Sequence, residues 1–304
     1  MTPSRRSVDT MHPLNSDPTV RALVSLALGE DRVDSDVTSH ALVPGDAKAR
    51  GSVVARAAGV IAGLVLLDEG SPLRERFPHI AIDTAATDGA AVAIGDVVAT
   101  LSGPARDLLG LERTLLNFIQ RMSGIATTTA EYVEAARGTR TRIQETRKTC
   151  PGWRALDKYA VTCGGGLNHR MNLADMILVK ENHLAFAGHE QSPDGVREGI
   201  RRARAAGDAV PIEIEVENLD QFDAALAEAP DIVMLDEFSD DMVAEAVRRR
   251  DTNGPPPPLI EASGSVTLER IKALSRLGVD RISVGALTHS AHALDLALDV
   301  EPLP

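Results

Sequence analysis

From residue 142 to residue 284 the chain repeats one pattern, a short apolar run followed by a segment of helical period. The runs cover 142–145, 175–179, 212–216, 232–235, 259–262 and 281–284. Between the later ones, 193–206, 219–228, 240–250 and 266–277 carry apolar residues at three- and four-residue spacing. Strands that alternate with helices in this way pair in parallel, because each crossover returns the chain to the same end of the sheet. Closure towards a barrel is the natural end of such a sheet. Six runs fall short of the eight strands of a complete one.

Parallel barrels carry their active sites at the C-terminal ends of the strands. The first run ends on Glu145 and leads into Thr146, Arg147 and Lys148; the second leads into Lys180. The third contains Glu213 and Glu215, and Asp236 follows the fourth. The fifth contains Glu261 and precedes Ser263, Gly264 and Ser265, and Gly285 follows the sixth. A single charge at a strand end is ordinarily solvated. Charge at five of six ends is the pattern of a functional rim.

The segment 144–181 holds six Lys and Arg against four Asp and Glu, in a chain of formal net charge −12. A cationic island in an acidic protein concentrates a small anion, although chance clustering on a solvated surface gives the same count. Arg147, Lys148, His169, Arg170 and Lys180 would form the pocket, with guanidinium forks suited to a dicarboxylate or a phosphate. Glu215 and Asp236 could hold Mg²⁺, bind sugar hydroxyls or stabilise a developing cation. Taken singly, each is as well explained by a salt bridge to a rim cation. Ser263-Gly264-Ser265 ahead of a helix, and Gly285-Ala286 after the last run, could cradle a phosphate on backbone N–H groups. His289 and His292 lack a third metal ligand. Trp153 and Tyr159 read as packing residues.

The first hundred residues mix short strands and helices, the pattern of a small α+β domain. Residues 1–16 read as a mobile extension. Asp17 caps a helix with Pro18 at its first position, and Gly29 would end it. A helix over 63–77 is interrupted near Gly70-Ser71-Pro72, and strands fall at 49–56, 79–85 and 97–102. The strongest helix covers 104–122, with Leu108, Leu111, Leu115, Ile119 and Met122 on one stripe, and a second follows Gly124 over 125–136. Arg113 lies off that stripe and reads as an exposed helix charge. The run 255–258 is a stiff proline connection.

Net charge −12 and 3% aromatic residues argue against nucleic-acid binding. No apolar run reaches membrane-spanning length, and Arg5 and Arg6 lack the apolar stretch of a secretory signal. Two cysteines without a CxxC pattern fit free thiols and a cytoplasmic setting.

The motifs ETRKT, KYAV, GGGLNHR, LVKENH, IEIEVENL, MLDEFS, IEASGSV and DRISVGALTHS, in that order and preceded by ERTLLNFIQRMSGIAT, resemble the quinolinate phosphoribosyltransferase family. The resemblance implies an α/β fold: an N-terminal α+β sandwich over 17–124, with 288–304 packed on it, and an incomplete barrel of six or seven strands over 125–287. It implies a homodimer or larger homo-oligomer in which Arg113 reaches the partner's site. Thr146, Arg147, His169, Arg170 and Lys180 would bind quinolinate, with Lys148 between it and phosphoribosyl diphosphate. Glu215 and Asp236 would face the ribose and Mg²⁺, and Ser263, Gly264 and Gly285 would hold the 5′-phosphate. Lys148, Lys180, Glu215 and Asp236 would be the catalytic set.

The implied reaction makes nicotinate mononucleotide, CO₂ and diphosphate, a step of NAD biosynthesis. Cys150, Trp153 and Glu237 depart from the family pattern, which expects Thr, a smaller apolar residue and Asn. Competing readings are a nicotinate phosphoribosyltransferase, a barrel aldolase with Lys180 as Schiff-base amine, and a non-catalytic phosphosugar sensor.

Overall fold

The βα repeat folds as its periodicity requires. In the computed structural model, which describes residues 11–189, 192–207, 210–254 and 256–304, the chain divides into two units. In chain order the strands are β1 (Lys48–Ala55), β2 (Gly59–Val60), β3 (Ala81–Thr84), β4 (Ala91–Val92), β5 (Val97–Pro104), β6 (Arg142–Gln144), β7 (Ile177–Val179), β8 (Ile212–Val216), β9 (Ile232–Asp236), β10 (Leu259–Ser263), β11 (Arg281–Ser283) and β12 (Leu296–Leu303).

The second unit, Thr128–Thr149 with Gly165–Ser290, is built on one six-stranded sheet in the order β6-β11-β10-β9-β8-β7. Every pairing in it is parallel. β6 and β7 are edges, so the barrel stays open between them; a single bridge from Gln144 to Leu167 is the nearest thing to a further strand. Helices Pro193–Ala205, Leu219–Glu228, Asp240–Thr252 and Leu268–Leu277 follow the strands. Ser192, Asn218, Ser239 and Thr267 each accept a backbone N–H at the helix start, the capping these residue types do best. All five residues of β8 are buried, Glu213 and Glu215 included. Strands buried on both faces are apolar almost throughout, so two carboxylates there mark a polar interior.

The first unit comprises Met1–Thr127, Cys150–Gly164 and Ala291–Pro304. Its four-stranded antiparallel sheet has the order β12-β1-β5-β3. β12 pairs with β1 along its whole length, from Leu303 opposite Lys48 to Leu296 opposite Ala55. The segment Cys150–Gly164, expected in the barrel, belongs to this unit because its helix Arg154–Cys163 is anchored here. Asp157, fully buried, accepts from Arg121 Nε at 3.2 Å, Nη2 at 3.1 Å and from Cys150 N at 3.2 Å. Trp153 stacks on Phe118, and Tyr159 donates to Asp88.

Three expectations are corrected. Helix Ala105–Ala135 runs unbroken through Gly124. That glycine is not a stop but a close approach: a Cβ there would overlap the carbonyl oxygen of His292 and lie 2.8 Å from its carbon. Gly29 sits inside helix Pro18–Asp31, and Arg32 takes the left-handed cap instead. The break expected near Gly70-Ser71-Pro72 in the 63–77 helix is present: Leu64–Leu67 and Pro72–Arg76 are separate pieces, with Gly70 at φ 79° between them. Order begins earlier than residue 17: Pro13–Ser16 is helical, and buried Asn15 donates to Val65 O.

Residues 1–10 and Pro255, parts of the expected mobile extension and proline connection, lie outside the described residues. Among the described residues, no helix is long and apolar enough to cross a membrane.

Candidate active site

A cavity of about 310 Å³ in the second unit is lined by Thr146, Arg147, Lys148, His169, Arg170, Leu178, Lys180, Met234, Ser263 and Ser283. Apart from His169 and Arg170, which lie in the loop ahead of β7, these residues are within the strands or just beyond their C-terminal ends, and all five expected anion-pocket residues are among them. A larger cavity in the first unit, about 960 Å³, is lined by Asp68, Asp83, Asp88 and Asp96 among others and offers no comparable cationic set.

Thr146, Arg147 and Lys148 lie in the loop after β6, and Lys148 N donates to Thr146 Oγ1 at 3.1 Å. Thr288, in the short helix Ala286–His289, donates from Oγ1 to Lys148 O at 2.9 Å and pins the loop. Arg147 Nε is buried and has no hydrogen-bond partner among the described residues. An orphaned buried donor is costly, and here it belongs to a cation lining a cavity. Arg170 donates from Nη1 to Met176 O at 3.0 Å. Burial, then the nearby charge of Arg147, lowers the Arg170 pKa. Two guanidiniums near enough to repel are relieved by an anion between them.

Lys180 caps helix Glu181–Phe186 and forms an ion pair with Glu215. Burial raises the Glu215 pKa, Lys180 opposes the rise, and the charges of Asp236 and Glu181 add to it. Asp236 ends β9, in register with Ser263 on β10. Gly285 follows β11: a Cβ on it would fall 3.0 Å from Lys148 Cδ and 3.2 Å from His289 Cδ2. His289, dismissed from sequence, thus stands at the same corner as Lys148. The signal was its position four residues after Gly285. The short helix ends at His289 and does not reach His292. Arg113 is not a lining residue: it belongs to the first unit, exposed and paired with Glu112.

Beneath the cations lies a buried network that joins His169 to the rim acids Glu145, Glu213 and Glu261. His169, 6% exposed at its side chain, faces Glu213 at 3.3 Å and Glu261 at 3.6 Å through Nε2. Gln144 Nε2 and Ser283 Oγ donate to Glu261. His169 N donates to Glu145 Oε1 at 3.0 Å. Burial pushes the His169 pKa down, but the carboxylates of Glu213 and Glu261, at 3.3 and 3.6 Å, outweigh it and lift the ring to about 9. Burial and the charge of Glu261 raise Glu213.

Donor atoms of His169, Glu213 and Glu261 lie within 4.8 Å of one another, close enough to frame a metal. In the neutral ring Nδ1 accepts from Arg170 N–H, which places the ring proton on Nε2, between the carboxylates; the charged ring carries that Nε2 proton as well. The centre of the cluster is therefore taken by a proton.

Two family models together span nearly all of the chain: the N-terminal domain of quinolinate phosphoribosyl transferase over residues 36–123 and its C-terminal domain over 125–299. A carboxylating nicotinate-nucleotide pyrophosphorylase of Mycobacterium leprae is 44% identical over 285 residues, covering 92% of this chain and 96% of the relative. A probable enzyme of the same name from Bacillus subtilis is 40% identical over 272 residues, covering 89% and 90%. The structure of the nicotinate-nucleotide pyrophosphorylase from Francisella tularensis superposes with a TM-score of 0.84 at 34% identity, covering 97% of this chain and all of that one. With both domain models matched in order and with relatives at 40–44% identity over nearly their full length, the chain belongs to the quinolinate phosphoribosyltransferase family.

Proposed function

We propose that the chain transfers the phosphoribosyl group of 5-phosphoribosyl 1-diphosphate to quinolinate and releases CO₂, diphosphate and nicotinate mononucleotide. The observation that carries the reading is the buried, unpartnered Nε of Arg147 in a cavity shared with Lys148, His169, Arg170 and Lys180. Such a pocket demands an anion with several oxygens, and a vicinal dicarboxylate supplies four.

Thr146, Arg147, His169, Arg170 and Lys180 hold the two carboxylates, and Lys148 stands between them and the donor. The pyridine nitrogen is thereby fixed in line with the anomeric carbon, an orientation effect that removes much of the entropic barrier. The nitrogen lone pair forms the N–C1′ bond as diphosphate departs with the C–O electron pair. Glu215 and Asp236, at adjacent strand ends, stabilise the positive charge that develops on the sugar. The pyridinium nitrogen then accepts the electrons released when the C2 carboxylate leaves as CO₂, and a proton replaces it on carbon. Ser263, Gly264 and Gly285 receive the 5′-phosphate through backbone N–H groups.

Mg²⁺, arriving with the diphosphate, would neutralise the leaving group. Crowding of Glu215, Asp236 and Glu181 against one another gives hard oxygen donors with charge to spare, which suits it.

The assembly is a homodimer or a multiple of one, with Arg113 completing the partner's pocket; its side chain is exposed and paired with the adjacent Glu112, which leaves it free to do so. A cytoplasmic setting fits two free cysteines, one of them exposed. The aldolase reading is disfavoured because Lys180 is ion-paired with Glu215, whereas a Schiff-base lysine must be neutral.

The test is a paired assay with phosphoribosyl diphosphate and Mg²⁺, following mononucleotide and CO₂ together. Equal amounts of both from quinolinate, with little product from nicotinate, are expected. Product from nicotinate alone would overturn the reading.

A further inference from the structure

The turn after β10 already holds an anion, and it is the chain's own. Glu237 follows Asp236 at the end of β9 and is one of three non-glycine residues at positive φ, 51°, among the described residues. That conformation is uncommon for a side chain of this size, and it turns the residue towards the next strand end. Its N donates to Ser263 O at 3.3 Å. Its carboxylate Oε1 accepts from Ser265 N at 3.0 Å and from Ser265 Oγ at 3.1 Å. Gly264, at φ +121°, is open on the same side: a Cβ there would lie 2.7–2.9 Å from the three carboxylate atoms of Glu237. Oε2 stands 3.9 Å from Arg270 Nη1, in the first turn of helix Leu268–Leu277. The carboxylate therefore sits on the donors of the Ser-Gly-Ser turn.

We propose that Glu237 is an intramolecular competitor for the 5′-phosphate site: its carboxylate occupies the Ser265 N–H donor in the empty enzyme and is displaced when the donor substrate or the mononucleotide product binds. The inference rests on the assignment of Ser263 and Gly264 to the 5′-phosphate. Glu237 departs from the asparagine of the family pattern, and asparagine is too short to reach Ser265 in this way.

The side chain of Glu237 is 58% exposed, so it can swing into water without disturbing packing. A binding site that is free only part of the time weakens the apparent affinity by the fraction free. Return of the carboxylate to Ser265 likewise speeds loss of a bound phosphate. Glu237 thus sets donor affinity and product release together, and leaves quinolinate binding alone.

The test compares the full-length protein with Glu237→Gln, which removes the charge, and Glu237→Asn, which removes the reach and tolerates positive φ. The KM for phosphoribosyl diphosphate should fall about tenfold in both. Competitive inhibition by inorganic phosphate should tighten in parallel, with the KM for quinolinate unchanged. A donor KM that stays the same or rises in both variants overturns the proposal while leaving the reaction intact. If the wild-type protein turns nothing over, the reaction assignment fails first, and thermal melts in inorganic phosphate still decide the inference. A larger phosphate-induced rise in Tm in the variants than in wild type supports it; an equal or smaller rise refutes it.

Discussion

The cluster under the pocket predicts where stability is lost with pH. His169 is lifted from 6.5 to about 9 by Glu213 and Glu261, against the effect of burial. That rise corresponds to about 3 kcal/mol of preferential proton binding in the folded state. A group whose folded pKa lies above its unfolded value gives its full stabilisation below the unfolded pKa. The contribution should therefore be complete below pH 6.5 and disappear as pH rises through about 9. For a 304-residue chain, an unfolding entropy of about 2.1 cal/mol/K per residue converts 3 kcal/mol into about 5 °C of Tm.

Protonation also costs the contact in which Arg170 N–H donates to Nδ1. Two carboxylates outweigh one neutral contact, because hydrogen bonds to charged groups are about twice as strong. The assay is a histidine-ring NMR titration from pH 6 to 10.5 with parallel melts, His169 being assigned by its absence in His169→Gln. Glu213→Gln, isosteric and neutral, should weaken proton binding at His169 at least tenfold, about 1.4 kcal/mol. A His169 resonance that titrates below pH 7 in the wild type, or that does not move in Glu213→Gln, would refute the reasoning.

Gly124→Ala should destabilise the protein by about 3 kcal/mol or more in a denaturant melt, because the methyl group meets the His292 backbone rather than a side chain that can yield. Gly29→Ala, a helical site with nothing within 4 Å of the new methyl, should instead stabilise by roughly 0.5–1 kcal/mol. Arg147→Lys loses the buried fork donor and should raise the KM for quinolinate about thirtyfold, roughly 2 kcal/mol, by steady-state kinetics. Arg113→Ala and Lys180→Ala should each be nearly inactive, yet after mixing and subunit exchange about a quarter of wild-type activity should return, since one site in each mixed dimer is whole; no recovery would place Arg113 outside its partner's site.

Much of the second unit was legible because its signal is local. A parallel strand must be apolar and must end where its helix begins, so the rim residues Lys180, Asp236 and Ser263 fall at or just beyond the ends that periodicity marks. The interior was less so. In the run IEIEV the alternation marks two unlike faces and sets Glu213 and Glu215 on one of them, and both are buried. Alternation reports that two faces differ, not which of them meets solvent. Gly124 failed for a similar reason: an interior glycine looks like a helix stop unless the backbone that packs on it, 168 residues later, is known. Cys150–Gly164 sits inside the βα rhythm and still folds with the first unit, because the ligands of Asp157 come from Arg121 and Cys150.

Cations above and carboxylates below divide the work of the pocket. Arg147, Arg170 and Lys148 alone would repel one another and would hold any anion loosely. Glu215 fixes Lys180, and Glu213 with Glu261 fixes His169, so part of the cationic lining is oriented before substrate arrives. The buried Nε of Arg147 has no hydrogen-bond partner among the described residues, and an oxygen of a bound anion would supply one. A site built around an unpaired buried donor penalises any ligand that fails to reach it, and discrimination of that kind reaches about 10⁴–10⁵ where pocket size alone gives about 10². Nicotinate carries one carboxylate where quinolinate carries two, and cannot satisfy the same donors. If Arg147 holds a carboxylate of quinolinate, as proposed, the choice between the two pyridine acids is set less by the room in the cavity than by which of them leaves Arg147 unpaired.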